Sequence, residues 1–427
     1  MAQMNIGIAG LGVVGAKTAQ LLLSPLHAQN GTDLSLRAVS ARNKDADRGF
    51  SLDGIDWHDD ARELAARDDI DIIVELIGGS DGIALELVSS ALRAGKHVVT
   101  ANKAMIAHHG FALAELAETQ NVSLLFEAGV AGGIPALKLI REGLAANHLT
   151  RITGILNGTS NFILSEMTAT GRPFADVLAE AQEKGFAEAD PSFDIDGVDA
   201  AHKLAILAAL GFGEKISFDA VQCKGIRAID KADIAFAGEF DYTIKLLGIA
   251  ERGGMRSVQP CLISNSHAIA HINGAMNAVC VEAEPVNIIN CSGPGAGAGP
   301  TASAVLSDLI DIAHHRTAPV FGVSTDRLED APEISAAKQI SKFYIRMLVS
   351  DRAGVLSDIT AILKELDISV ESMLQRGQPK ADTVTLVMTT HQTSLEAIEK
   401  AQARLAKADF VTGDIMVLSI IDANELR

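Results

Sequence analysis

The feature that most constrains the fold is Gly10-Leu11-Gly12-Val13-Val14-Gly15, a complete GxGxxG set. It follows a strand-like run, Asn5–Ala9, and precedes a helix-like run ending at Leu23. In such a turn the first glycine permits the tight bend and the second lets backbone approach a pyrophosphate. The third allows helix and strand to pack closely, with phosphates on the helix N-terminus. Alone, the pattern also fits an ordinary turn, so its context matters. Further apolar runs, Leu34–Ser40, Ile70–Glu75, His97–Thr100 and Val122–Glu127, alternate with helical patterns. One of these is Ala84–Ala94, where Leu85, Val88 and Leu92 share a face and Gly95 ends the helix. The alternation predicts a Rossmann-type, doubly wound α/β sheet over residues 1–134, and hence a dinucleotide site at Gly10, Gly12, Val13, Val14 and Gly15.

The end of the second strand bears on which dinucleotide. A site preferring NAD(H) usually carries an acid there for the ribose hydroxyls. Here Ser40-Ala41-Arg42-Asn43-Lys44 has no acid and two cations. Arg42 and Lys44 suit a 2′-phosphate, which favours NADP(H) and leaves NAD(H) possible; the plainer alternative is two ordinary loop charges. A second glycine-rich run, Gly293 to Pro300, precedes a helix expected near Thr301, and its small side chains would let backbone approach a ring or phosphate at Gly297.

At 427 residues the chain exceeds one ordinary core. Residues 135–324 mix strands and long helices, as expected of an α+β domain, with the segment 293–320 expected to pack back on the cofactor domain. The polar stretch 325–342, which contains Pro332, reads as a linker. Residues 343–427 then restart as strand Phe343–Ser350, helix Val355–Leu366, strands Ile368–Leu374 and Thr383–Thr389, helix Ser394–Leu405 and strand Ile415–Ile421. That βαββαβ order is a ferredoxin-like module able to fold alone. The net charge of −18 argues against nucleic acid or an anionic membrane as partner, since both need a basic face. Cys223, Cys261, Cys280 and Cys291 show no CxxC or ligand-like spacing, as expected of free thiols in a reducing cytosol. No apolar run approaches the roughly 20 residues of a membrane span, and no basic leader opens the chain. A soluble, cytoplasmic protein is expected.

The reactive chemistry concentrates in Phe186–Lys203, which carries Glu188, Asp190, Asp194, Asp196, Asp199 and Lys203. Asp199 and Lys203 stand four apart, on one helix face. On a surface such a pair contributes only roughly 0.3–0.5 kcal/mol. Here Leu204, Ala205, Ile206 and Leu207 follow at once, so the lysine is expected to be partly buried. A buried lysine beside carboxylates can exchange a proton with an alkoxide. A divalent-metal site is the alternative for five acids, but the spacing matches no Ca²⁺ loop. Lys103 and Ala101, in Thr100-Ala101-Asn102-Lys103, follow the C-terminal end of a buried strand, where ligands bind in open α/β sheets; a solvated loop lysine is the alternative.

Three segments together resemble the homoserine dehydrogenase family: Phe126-Glu127-Ala128-Gly129-Val130, Ile155-Leu156-Asn157-Gly158-Thr159-Ser160-Asn161-Phe162, and Glu188–Lys203. The resemblance runs in order over residues 1 to about 320, and with no aspartokinase-like region before Met1 it is to the monofunctional form. It implies reversible reduction of L-aspartate 4-semialdehyde to L-homoserine, on the route to threonine, methionine and isoleucine. It implies that Lys203 donates and accepts the proton, and that Glu188 and Asp199 bind the substrate's amino group and hydroxyl side. Lys103 would hold substrate near the cofactor, with Gly185 beside it. A structural monovalent cation, Na⁺ or K⁺, would lie on Glu127 and the carbonyls of Val130, Gly132 and Ile134.

The C-terminal module resembles an ACT domain through Ser350-Asp351-Arg352-Ala353-Gly354-Val355-Leu356. There Asp351 is expected to cap the helix and Gly354 to admit a ligand, with Leu356, Ile359, Leu363 and Leu366 as the apolar face. The resemblance implies pairing of such modules, hence a homodimer or homotetramer, and L-threonine as feedback effector near Asp351, Gly354, Val355 and Leu356. Two other readings are another NADP-dependent oxidoreductase of amino-acid metabolism, against which the Asn157–Phe162 motif speaks, and a non-catalytic sensor, which would be expected to lose Lys203 or Glu188.

Overall fold

The computed structural model describes residues 3–24, 33–332, 339–377 and 382–421, and organises them around two sheets. The first holds β1 (Met4–Ala9), β2 (Leu34–Ser40), β3 (Asp56–His58), β4 (Ile72–Glu75), β5 (His97–Thr100) and β6 (Leu124–Leu125), in the order 3-2-1-4-5-6. All neighbours run parallel. Parallel strands covered on both faces must be apolar throughout, and Ile6, Ile8, Ile72, Ile73 and Val74 are fully buried. Helices α1 (Val13–Leu22), α2 (Ile83–Arg93) and α3 (Lys103–Thr119) supply the cover. The order reverses between β1 and β4, so a crevice opens beyond the ends of these strands. β6 is shorter than the expected Val122–Glu127: after Phe126 the backbone turns, and Glu127 N–H donates to Asp308 rather than extending the ladder.

The second sheet has eleven strands. The middle region contributes α4 (Ala136–Lys138), β7 (His148–Ile155), α5 (Gly158–Thr170), α6 (Phe174–Glu183), α7 (Ser192–Ile195), α8 (Val198–Phe212), β8 (Gln222–Cys223), α9 (Lys231–Glu239), β9 (Tyr242–Glu251), β10 (Arg256–Ser264), β11 (Met276–Glu284), β12 (Asn287–Pro294) and α10 (Ala298–Ala313). Helix α10 begins three residues before the expected Thr301 and returns to the first sheet, where Val305, Leu309 and Ile312 share a core with Ile6, Ile8 and Leu11.

The C-terminal module comprises β13 (Ile340–Ser350), α11 (Val355–Glu365), β14 (Val370–Gly377), β15 (Thr383–Thr390), β16 (Thr393–Ser394), α12 (Leu395–Leu405) and β17 (Val411–Ile421). Its core gathers Phe343, Met347, Ile359, Leu363, Leu386 and Leu405. Yet it does not stand apart. Strand β17 pairs in parallel with β10, Cys261 opposite Ser419 and Ile263 opposite Ile421, so both modules share one sheet, 12-11-7-9-10-17-13-15-14. Across this seam Asp233 of α9 is fully buried and receives Arg346 Nε at 2.6 Å, Arg346 Nη2 at 3.0 Å and the Tyr344 hydroxyl at 3.0 Å. The expected linker 325–342 is correspondingly narrower. Thr325 donates its N–H and hydroxyl to Glu118, Glu329 N–H donates to Gly213, and β13 already begins at Ile340. Thr325 and the Glu329 backbone are thus tied to the body of the protein, while Asp326, Arg327, Glu329 and Asp330 keep exposed side chains; positions 333–338 lie outside the described residues. Among the described residues no helix is long and apolar enough to cross a membrane.

Candidate active site

Helix α8 starts at Gly197, whose φ of +89° turns the chain into it, and is buried on all sides from Asp199 to Leu210. Asp199 sits in the first turn, where a carboxylate favours the helix dipole. Lys203 lies one turn on, and its ammonium donates to Asp199 Oδ2 and to the Leu156 carbonyl, each at 2.7 Å. Lys103, the first residue of α3, places its ammonium 3.2 Å from Asp199 Oδ1. One buried carboxylate is therefore held between two lysines. Burial alone would raise the Asp199 carboxyl, but the Lys203 and Lys103 charges keep it well below the usual carboxylate range. Burial also pushes the Lys203 ammonium down from the ordinary lysine range, against the pull of Asp199.

Asn157 joins this group with a role its motif did not disclose. It caps α5 through Oδ1, which accepts Ser160 N–H, leaving Nδ2 to donate to Asp194 at 2.8 Å and to Asp199 at 2.9 Å. An Asn immediately before Gly-Thr-Ser at a helix start is a legible cap signal, but the second use of its amide needs the tertiary fold. Asp194, raised mainly by burial, faces the same space. The other acids disperse: Asp190 accepts Ser192 N–H and Asp196 pairs with Arg227. Among the described residues no three His, Cys, Asp or Glu side chains gather as a metal site. Glu188 is exposed and lies outside the cavity lining, a departure from its expected place; Asp194 stands there in its stead.

The cavity holds about 550 Å³ and is lined by Lys103, Asn157, Asp194, Asp199 and Lys203 on one side. Val14, Ala101, Gly185, Gly297 and Thr301 also line it, while Val13 lies 75% exposed outside it. The second glycine run is packed tightly here. A Cβ on Gly295 would fall 2.1 Å from Asn277 Cγ, and one on Gly132 would fall 2.3 Å from the Gly295 oxygen. Asn277 in turn donates to the Leu156 carbonyl that receives Lys203.

A second cavity, about 770 Å³, lies beyond β1 and β2. Gly10 and Gly12 border it, and the spacing of the glycines has a visible reason. A Cβ on Gly15 would meet the Gly10 oxygen at 1.9 Å, one on Gly10 the Leu76 oxygen at 2.5 Å, and one on Gly12 nothing within 4 Å. Gly12 thus faces open space at the uncapped start of α1, where an anion can approach backbone N–H groups. Arg42 lines this cavity and Lys44 does not, so the two expected cations separate. Of the acids on its rim, Asp60 is committed to Arg62 and Asp59 accepts the Trp57 indole N–H.

The expected cation ligands, Glu127, Val130, Gly132 and Ile134, lie on the turn that follows β6. Glu127 is buried and its two oxygens accept the N–H groups of Leu137 and Lys138, each at 2.9 Å. Burial, with the Asp308 carboxylate beside it, pushes the Glu127 carboxyl up to about 7, against the Leu137 and Lys138 N–H groups and the Lys138 charge. The Ile134 carbonyl accepts Ala136 N–H. Val130, Gly132 and Ile134 are all buried.

In the C-terminal module the turn Ser350–Leu356 borders a cleft of about 160 Å³ with Gln375 and Val384. Asp351 is not the helix cap, contrary to expectation. Gly354, at φ +97°, holds that position without any side-chain cap, because the turn overshoots Asp351 by three residues. Leu356 is 42% exposed rather than core; Val355, Ile359 and Leu363 form the buried face.

Family descriptions match in three places: the NAD-binding domain of homoserine dehydrogenase over residues 10–127, homoserine dehydrogenase over 135–310, and the ACT domain over 343–407. The chain is 42% identical to a homoserine dehydrogenase of Neisseria gonorrhoeae, with 98% of each covered. It superimposes on the crystal structure of a homoserine dehydrogenase from Thiobacillus denitrificans with a TM-score of 0.92, at 40% identity and 99% coverage of both chains. A hyperthermophilic archaeal homoserine dehydrogenase solved with NADPH is similar over 75% of this chain and 100% of its own, with a TM-score of 0.64 and 26% identity.

Proposed function

The chain belongs to the homoserine dehydrogenase family, oxidoreductases acting on a CH–OH group, and on that premise we propose that it interconverts L-aspartate 4-semialdehyde and L-homoserine with NADP(H), using Lys203 for proton transfer. The observation that carries the reading is the setting of the Lys203 ammonium. Of its three N–H groups, two are taken by Leu156 and Asp199, and the third is free to meet a substrate oxygen in the cavity that Lys203 lines. When semialdehyde is reduced, the ammonium gives that proton to the oxygen; when homoserine is oxidised, the free amine takes it back. Burial lowers the proton affinity of Lys203 against the opposing pull of Asp199, which eases release of that proton to the substrate oxygen. A nicotinamide held beside Lys103 would provide the hydride chemistry at the same carbon. Asp199 keeps Lys203 and Lys103 in place, and Lys103 meets the substrate from the cofactor side. Asp194, which lines the same cavity, would meet the substrate's amino group, the role expected of Glu188.

Preference for NADP(H) over NAD(H) rests on Arg42 in a cavity whose acids are otherwise engaged, and on the archaeal relative solved with NADPH. A monovalent cation, Na⁺ or K⁺, would be held by Glu127 and the carbonyls of Val130, Gly132 and Ile134, where it would neutralise a buried carboxylate. L-Threonine is the proposed effector of the ACT module, acting at the Asp351–Leu356 turn. Strand β14 ends the large sheet with an open edge, through which copies could pair as a homodimer or homotetramer. The setting proposed is the cytoplasm, in the synthesis of threonine, methionine and isoleucine. The test is oxidation of L-homoserine with NADP⁺ and with NAD⁺, with and without threonine. Absence of turnover with both cofactors would overturn the reading.

A further inference from the structure

Lys245, in the middle of β9, is 1% exposed, and among the described residues no carboxylate lies within ion-pair distance of it. Burial pushes its ammonium down to about 8. A cation kept in such a place costs stability, and an apolar side chain of similar size often packs there as well or better. Its contacts show what it holds. The ammonium donates to Ile272 O at 2.6 Å, Asn273 Oδ1 at 2.9 Å and Asn161 Oδ1 at 3.2 Å. Asn161, on α5 and also 1% exposed, donates from Nδ2 to the carbonyls of Gly274 at 2.9 Å, Ile272 at 3.1 Å and Met276 at 3.2 Å. Two buried side chains thus fasten the whole 272–276 turn.

That turn is part of the catalytic cavity. Ala275 lines it, and the Ala275 oxygen lies 2.7 Å from where a Cβ on Gly158 would stand. Gly158 also lines the cavity and follows Asn157, the residue bridging Asp194 and Asp199. A shift of the turn therefore moves the wall facing the acids, while Lys203 keeps its place on α8 and its ion pair with Asp199.

We propose that Lys245 is a positioning residue for the substrate pocket, fixing the 272–276 turn so that Ala275 and Gly158 form the wall against which the amino-acid substrate is held. This rests on the homoserine reaction proposed above. Lys245→Met should raise the KM for L-homoserine about tenfold while kcat and the KM for NADP⁺ stay within about threefold, the pattern of lost substrate binding. A merely structural role would instead lower the active fraction, reducing apparent kcat at unchanged KM. Asn273→Ala, at an exposed position, removes one of the three contacts and should raise the homoserine KM by roughly two- to fourfold by the same reasoning. A soluble Lys245→Met enzyme with homoserine KM within twofold of wild type would sink the inference. Should that variant fail to fold, an unchanged homoserine KM in Asn273→Ala would do so. Failure of the unmodified chain to oxidise homoserine would instead defeat the proposed reaction, and this inference with it.

Discussion

Helices α1 and α11 begin alike and end up in different chemistry. Each follows a strand through a short turn, starts at a glycine, Gly12 or Gly354, and has no side-chain cap. Each therefore offers bare N–H groups and the positive end of a helix dipole to an anion. Their surroundings differ. The α1 terminus opens on about 770 Å³ and lies next to a cavity crowded with buried charges. The α11 terminus borders about 160 Å³ beside an exposed Leu356. The same local device therefore admits a dinucleotide in one place and, at most, a small molecule in the other. What differs is the set of side chains that distant segments deliver.

If the buried charges make that difference, removing one should have the largest effect. Lys203→Ala is expected to lower kcat by roughly 10²–10⁴-fold with NADPH binding nearly intact. Steady-state rates with a cofactor titration check this, and a variant retaining more than half of wild-type turnover would break the comparison. The seam between modules comes next. Truncation near Asp330 would strip β10 of its partner β17 and leave Asp233 buried without Arg346 and Tyr344, so such a chain should lose stability along with any threonine response. Arg346→Met isolates one part of this. It should destabilise the protein by on the order of 3 kcal/mol, read by denaturant unfolding, because a buried carboxylate loses its main partner. An unchanged midpoint would mean that the module is merely tethered.

At the α1 end, Arg42→Ala should weaken NADPH about tenfold and NADH little, consistent with a lost charged hydrogen bond to the 2′-phosphate. Lys44→Ala should do less, since Lys44 does not line the cavity. Equal loss of both cofactors by either variant would reduce these residues to general loop charges. A smaller effect is expected from the cation. The Glu127 carboxyl is raised to about 7 from its ordinary 4.5, so its contribution favours the folded chain at low pH and is lost as pH rises through 7. Replacing Na⁺ or K⁺ with a bulky quaternary ammonium ion should therefore lower Tm by about one degree, roughly 1 kcal/mol, at pH 8 and hardly at pH 5. Glu127→Gln should abolish that dependence. The mildest change is at α11. Gly354→Asp places an anion where an effector's carboxylate would approach, in a backbone conformation that disfavours side chains. It should raise the threonine needed for half inhibition by roughly tenfold or less while leaving uninhibited kcat unchanged.

Much of this organisation was legible because its causes are local. The glycine spacing at 10, 12 and 15, the alternation of strands and helices, the βαββαβ order and the Asp199–Lys203 pair each depend on residues close in the chain. Other features were hidden because their causes are distant. Residues 325–330 read as linker because they are polar, yet their hydrogen bonds go to Glu118 and Gly213. Asp351 has the chemistry of a cap but stands three residues too early. Arg42 and Lys44 look equivalent in sequence, and only the path of the loop separates them.

The sequence by itself determined which segments become strands and helices, where the dinucleotide turn lies and which lysine is driven indoors, since hydrophobic periodicity and glycine geometry act within a few residues. Only the tertiary structure decided that Lys103, Asn157 and Lys203 converge on one carboxylate, that Asp194 rather than Glu188 faces the cavity, and that β17 fuses the two modules into one sheet. These are outcomes of burying charge and satisfying backbone between elements far apart in the chain. A buried polar group takes whichever partner the packing places within reach.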